Sequence, residues 1–169
     1  MLIVILQHTP IWVWGLLVAL IALGLSQARD REITLARITM LPLVMIALSL
    51  SGVFSAFGHQ PIALGGWTAG VGAALLIGRQ LVVARGARWL AESSRLHVPG
   101  SWMPLALIVA LFMLKYAVGV SIAMHPALAH DATVAGLCSL AYGVFSGLFL
   151  ARGLALRGLA TQSAGLSAA

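Results

Sequence analysis

The chain has 169 residues, of which 61% are hydrophobic and only 8% charged, with a mean hydropathy of +1.03. These values exclude an ordinary soluble domain and define a membrane protein. The net charge of +6 is explained by where the basic residues fall relative to the membrane, so it gives no reason to expect nucleic acid as a partner.

In chain order, the opening "MLIVILQHTP" lacks the positive start and small-residue cleavage site of a secretory signal peptide, so its apolar segment is expected to be retained. Thr9 and Pro10 read as an N-cap and a first helical position. Apolar runs long enough to cross about 30 Å of hydrocarbon fall at 11–28, 38–58, 62–84, 102–124 and 132–151. They are continuous rather than alternating, which predicts helices and not a barrel. The expected fold is all-α, a polytopic five-span bundle, with residues 1–169 forming one transmembrane domain. No charge-rich segment leaves room for a soluble domain beside it.

The arginines sort by connection. Arg29, Arg31 and Arg37 follow the first span, Arg85, Arg88 and Arg95 lie between the third and fourth, and Arg152 and Arg157 follow the fifth. The connections "GHQP" and "HPALAHDA" carry no Lys or Arg. The positive-inside rule therefore predicts a bacterial inner-membrane protein with its N-terminus outside and its C-terminus in the cytoplasm. Trp12, Trp14 and Trp67 then fall near outer helix ends, and Trp89 and Trp102 at the inner boundary. The inner connection "RGARWLAESSRLHVPGS" reads either as a solvated basic loop or as a short amphipathic helix on anionic lipids of the cytoplasmic face.

A duplication is suggested by "MLPLVMIALSLSGV" and "MPLALIVALFMLKYAVGV", which align Pro42 with Pro104 and Gly52 with Gly119. The architecture would then be one helix plus two duplicated hairpins. Both prolines fall in early helical turns, where they shape a helix start rather than break a helix. Two stripes of small residues support close packing: Gly66, Gly70, Ala74 and Gly78 on the third span, and Ala135, Ser139, Gly143 and Gly147 on the fifth. Such faces let backbones approach in lipid, either within one chain or between the copies of a homo-oligomer.

Lys115 stands near the middle of the fourth span, and the four carboxylates Asp30, Glu32, Glu92 and Asp131 all lie in connections or at helix boundaries. A midplane lysine must snorkel, face polar groups such as Tyr142, Ser139 or Ser49, line a wet cavity, or neutralise a lipid, ligand or partner from outside the chain. Arg79 lies close enough to the inner end of its helix to reach the headgroups. His8, His59, His125 and His130 all fall on the outer side, where they could ligate haem or copper, but no HxxxH or HExxH spacing occurs. His59 and His125 also end helices, where imidazole complements the last carbonyls. No nucleophile stands with an identifiable base, and no phosphate-binding glycine loop is present, so an enzyme is not expected. The single cysteine, Cys138, excludes an internal disulfide and a paired-thiol motif.

The run "SQARDREITLARITMLPLVMIALSLSGV" resembles the corresponding stretch of a family of small, uncharacterised bacterial inner-membrane proteins, a likeness that implies location and architecture. The basic first loop and short spans are also similar to CcdC-type cytochrome c biogenesis membrane proteins, which would imply a redox or haem-linked role. The lone cysteine leaves thiol chemistry without its reactive pair. Taken together, these features predict a non-enzymatic, small transporter-like or channel-like bundle without a cofactor, in which Lys115, Tyr142 and Ser139 form a polar interior. The alternative is a haem- or metal-binding protein using the outer histidines.

Overall fold

The computed structural model describes residues 11–81, 86–90 and 95–166. Its helices are α1 Ile11–Ser26, α2 Leu35–Phe57, α3 Pro61–Leu81, α4 Met103–Met124 and α5 Ala132–Leu166, with a 3-10 turn at Pro126–His130 between the last two. Four of them, α2 to α5, are long and apolar enough to cross a membrane by length and composition, and α1 is a shorter apolar helix of 16 residues.

Local sequence fixes the helix ends. Gly58 leaves α2 at φ 63°, a conformation that favours glycine, and its N–H donates to the Phe54 carbonyl at 3.0 Å. Asp131 opens α5, its Oδ1 accepting from the N–H groups of Thr133 and Val134 at 2.8 and 3.0 Å. The Gln60 side chain donates to the Ala129 carbonyl at 2.8 Å and so ties the α2–α3 connection to the α4–α5 connection.

α5 is the central helix. Its small-residue stripe lies directly on that of α3: a Cβ at Gly66 would fall 2.5 Å from the Gly136 carbonyl oxygen, and one at Gly147 2.6 Å from the Ala74 Cβ. At Gly70 and Gly143 the added atom would strike the backbone carbonyls of Leu140 and Trp67. Ala135 and Gly78 are also buried. The stripes are thus used within the chain, which removes them as the basis for expecting an oligomer. A second face of α5 receives α2, where Pro42 packs against Gly153. α3 and α4 share little contact by comparison, so the hairpins α2–α3 and α4–α5 are not arranged as symmetric copies.

The chain is all-helical as expected apart from one small element. The inner connection expected to be loop or amphipathic helix supplies β2 Arg88–Leu90 and β3 Arg95–Val98, which combine with β1 Arg31–Ile33 after α1 into a three-stranded antiparallel sheet ordered β1-β3-β2. The cause is a period-two pattern in "RLHV": Leu96 and Val98 are buried while Arg95 is exposed, and β1 likewise buries Ile33 and exposes Glu32. Their apolar face packs on Ile38, Leu156 and Ala160. α5 reaches the sheet because 35 residues rise about 52 Å, well beyond a hydrocarbon core of about 30 Å. The helix therefore continues past the span end expected at 151. Gly100 closes the same end: its N–H donates to Asp30 Oδ1 at 2.6 Å, and a side chain there would strike the Ala28 carbonyl.

Replacing Gly70 or Gly143 by leucine should separate α3 from α5 and lower stability by about 1–3 kcal/mol or more, as overpacking does. Gly15→Ala and Gly119→Ala, with nothing within 4 Å of the new Cβ, should stay within about 0.5 kcal/mol of wild type. Thermal unfolding of the detergent-solubilised protein is the measurement, and equal sensitivity at both pairs of sites would contradict this packing.

Candidate functional site

Packing of α2 against α5 places Ser49, Gly52 and Val53 on the face of α2 turned toward Tyr142. These positions follow helical spacing, and all three are buried. Ser49 Oγ donates to the Tyr142 carbonyl at 3.2 Å and accepts from the Trp67 indole N–H at 2.7 Å, so one serine joins α2, α3 and α5. Ser146, one turn further along α5, donates to the same carbonyl at 3.1 Å. A short indole hydrogen bond away from water is worth keeping, because an orphaned donor there costs about 1–3 kcal/mol.

Gly52 makes room for two side chains from different helices. A Cβ at this position would lie 3.6 Å from Tyr142 Cζ and 3.8 Å from both Cδ and Cε of Lys115. The phenol ring and the lysine stem therefore converge over the same glycine. Tyr142 is 1% exposed and its hydroxyl has no hydrogen-bond partner among the described residues; the same holds for the buried Ser139 hydroxyl one turn earlier. Lys115 is half-buried. Its Nζ reaches Ser51 Oγ at 3.4 Å, on the exposed face of α2. The lysine thus crosses from a buried phenol to the outside of the bundle between α2 and α4, instead of pointing down a central axis. α3 and α5 meet backbone to backbone, which leaves no lumen between that pair.

Among the described residues no carboxylate pairs with this cation. The one salt bridge among the described residues is Arg95 to Glu32 at 3.8 Å, diagonal across β1 and β3, and both partners are exposed. Asp30 and Asp131 accept main-chain N–H groups instead.

The other expected site residues are dispersed. His59 is exposed, with its ring 5.0 Å from that of Phe54. His125 and His130 are exposed at the two ends of the 3-10 turn, and the His125 main-chain N–H caps α4 through the Ser121 carbonyl at 2.9 Å. His8 lies outside the described residues, as does the side chain of Arg79. Among the described residues no group of three or more His, Cys, Asp or Glu could hold a metal ion. Cys138 is free and half-buried.

Two participants escaped the sequence reading. Trp67 reads as an interfacial tryptophan but donates inward to Ser49, and Gly52 reads only as the counterpart of Gly119 in a duplication. The available signal was that Ser49 and Gly52, three apart on α2, present a hydroxyl and a gap on one face.

The chain belongs to the family of unknown function DUF6622, whose model matches residues 1–166. It is also similar to an uncharacterised protein of Pasteurella multocida (strain Pm70), 33% identical over 61 residues. That match covers 36% of this chain and 46% of the relative, so the chain spans about half the length of that protein. No solved structure matches. The family membership agrees with the resemblance to uncharacterised proteins, whereas the likeness to CcdC-type proteins finds no support in these matches.

The serine bridge can be tested by itself. Ser49→Ala should cost about 1–3 kcal/mol by orphaning the Trp67 N–H. Adding Trp67→Phe to it should cost less than the two single losses combined, because the shared hydrogen bond is removed only once. Thermal denaturation of the four proteins in this cycle supplies the comparison, and strict additivity would rule the bridge out.

Proposed function

We propose that the chain is a non-enzymatic, five-span protein of the bacterial inner membrane, transporter-like in character, that receives an anionic or strongly hydrogen-bonding group at Lys115 from the side of the bundle. The observation that carries this reading is the convergence over Gly52 of the sole lysine and the Tyr142 phenol, whose hydroxyl has no partner among the described residues. An ammonium at this depth needs compensation, and the described carboxylates all lie elsewhere. A group from outside the chain satisfies both the cation and the phenol at once, with Ser139 as a further donor. A lateral site agrees better than an axial channel with the way Lys115 leaves the core toward Ser51.

The fifth span in this reading is α1. Its 16 residues rise only about 24 Å, but it packs on α4 with Gly24 against Leu105, near the end of each helix that the arginine pattern assigns to the cytoplasm. The same arginines support the orientation, with the N-terminus outside, the C-terminus cytoplasmic, and anionic lipids meeting the inner face. If the chain forms a homo-oligomer, the exposed strip of α2 and α4 around Ser51 is available for it, since the glycine stripes are already occupied. The histidine reading gains no comparable geometric support.

Two measurements address the site. A cysteine at position 115 in a Cys138→Ala background, in native membranes, should be labelled by a small water-soluble thiol reagent at a rate approaching that of a control cysteine in the 125–131 connection. Complete protection at 115 with a reactive control would remove the wet site. In proteoliposomes, Lys115→Met should reduce anion flux at least about tenfold, the loss expected when a charge-assisted hydrogen bond disappears. Equal flux in both proteins would remove the lysine from the pathway.

A further inference from the structure

At the end of the bundle that carries the sheet, a narrow cleft is lined by Gln27, Arg31, Arg37 and Arg152 over an apolar floor that includes Pro42 and Phe149. Among the described residues every charged group on this lining is a guanidinium. Arg31 Nη2 donates to Gln27 Oε1 at 3.1 Å, which occupies the acceptor of the glutamine and leaves its amide NH2. Gln27 is 4% exposed, and that NH2 has no hydrogen-bond partner among the described residues. The one described salt bridge, Arg95 to Glu32, lies on the sheet and involves none of the three cleft arginines.

We infer that this cleft is a phosphate-binding site, built to take the headgroup phosphate of an anionic phospholipid where α2 and α5 leave the hydrocarbon. Three guanidiniums and a buried amide present only donors, and a phosphate presents only acceptors, which arginine forks meet in bidentate fashion. Burial and the nearby charges of Arg37 and Arg152 hold the Arg31 guanidinium below its ordinary value, so an anion would relieve a repulsion the chain itself leaves standing. The space in the cleft that a water molecule can reach is about 30 Å³, so a ligand can place an oxygen or two among the guanidiniums while its bulk stays outside. Position favours a lipid: Arg152 is 20 residues into α5 from Ala132, about 30 Å along the helix, one hydrocarbon thickness from its start. The inference rests on the reading that this end of the bundle meets a leaflet surface, and it is independent of Lys115.

The test uses the full chain, delipidated in detergent and titrated with phosphatidylglycerol or phosphatidylcholine under native mass spectrometry. Wild type should bind one phosphatidylglycerol about tenfold more tightly than phosphatidylcholine. Arg31→Gln with Arg152→Gln should abolish that preference, while Arg88→Gln, which removes one positive charge from β2 outside the cleft, should keep it. Gln27→Glu guards against misfolding of the double variant, because it is nearly isosteric and supplies an internal anion. It should lose the preference while melting no lower than wild type. Inorganic phosphate distinguishes the sources: binding of phosphate without phosphatidylglycerol selectivity would identify a free phosphate ligand, whereas selectivity that millimolar phosphate does not displace identifies the lipid. Selectivity that survives in Gln27→Glu, or falls as much in Arg88→Gln, would overturn the site in favour of diffuse surface charge. Because the assay is in detergent and spares Lys115, its failure and a failure of the transport reading are separate results.

Discussion

Helices α3 and α5 touch through their backbones, because Gly66, Gly70, Gly143 and Gly147 leave almost nothing else between them, and the rest of the bundle is arranged around that contact. In lipid there is no hydrophobic force to drive helices together, so close van der Waals approach must supply the attraction. Bringing α3 onto one face of α5 commits α5 to the centre. Its opposite surface is then free to receive α2, and the apolar side chains left outside, such as Leu43, Leu76 and Leu137, face outward as a bilayer requires. The length of α5 does the remaining work. From the Asp131 cap it is long enough to cross a hydrocarbon core and still support the sheet with Leu156 and Ala160.

Polar groups inside such a bundle must find partners within it or remain exceptions. Ser49 is the first kind: one hydroxyl, donor and acceptor at once, is satisfied by the Tyr142 carbonyl and the Trp67 indole. Tyr142 and Ser139 are the second kind, buried with hydroxyls that no described residue satisfies. Native interiors keep few such groups, and each invites an explanation. Alongside them runs the stem of Lys115, which crosses the same glycine that makes room for the phenol. Packing alone would not require a lysine at this place; leucine or methionine could cover Gly52 without the cost of a charge.

Much of this organisation was legible in the residues. Apolar runs located the long helices, spacing by four exposed both small-residue stripes, and Lys115 stood out as a charge in a span lacking a carboxylate. What stayed hidden has physical causes. The strand segments are only three or four residues long, and in "RLHV" two apolar positions alternating with Arg and His are too brief to compete with the overall impression of a basic loop. Trp67 gave no sign of its direction, because tryptophan near a helix end serves the interface and the interior equally well. Along the sequence the arginines sort by connection and mark topology alone. Only folding shows that Arg31, Arg37 and Arg152, from three elements, line one cleft with Gln27.

The two cationic places lie toward opposite ends of one helix seam. On α2 the residues turned to α5 run through Ile38, Pro42, Met45, Ser49 and Val53, and on α5 they run through Tyr142, Ser146, Phe149, Gly153 and Leu156, each at helical spacing. Lys115 and Tyr142 mark one end, and the arginine cleft marks the other. Contiguity alone does not couple two sites; a seam transmits a change only if it has two discrete arrangements. Pro42 lies inside α2, lacks the N–H that would bond back to the Ile38 carbonyl, and packs directly against Gly153, so the main-chain ladder of α2 is interrupted toward the arginine end of the seam. Pro42 also lines the arginine cleft, whereas no proline interrupts α2 beside Lys115 and Tyr142.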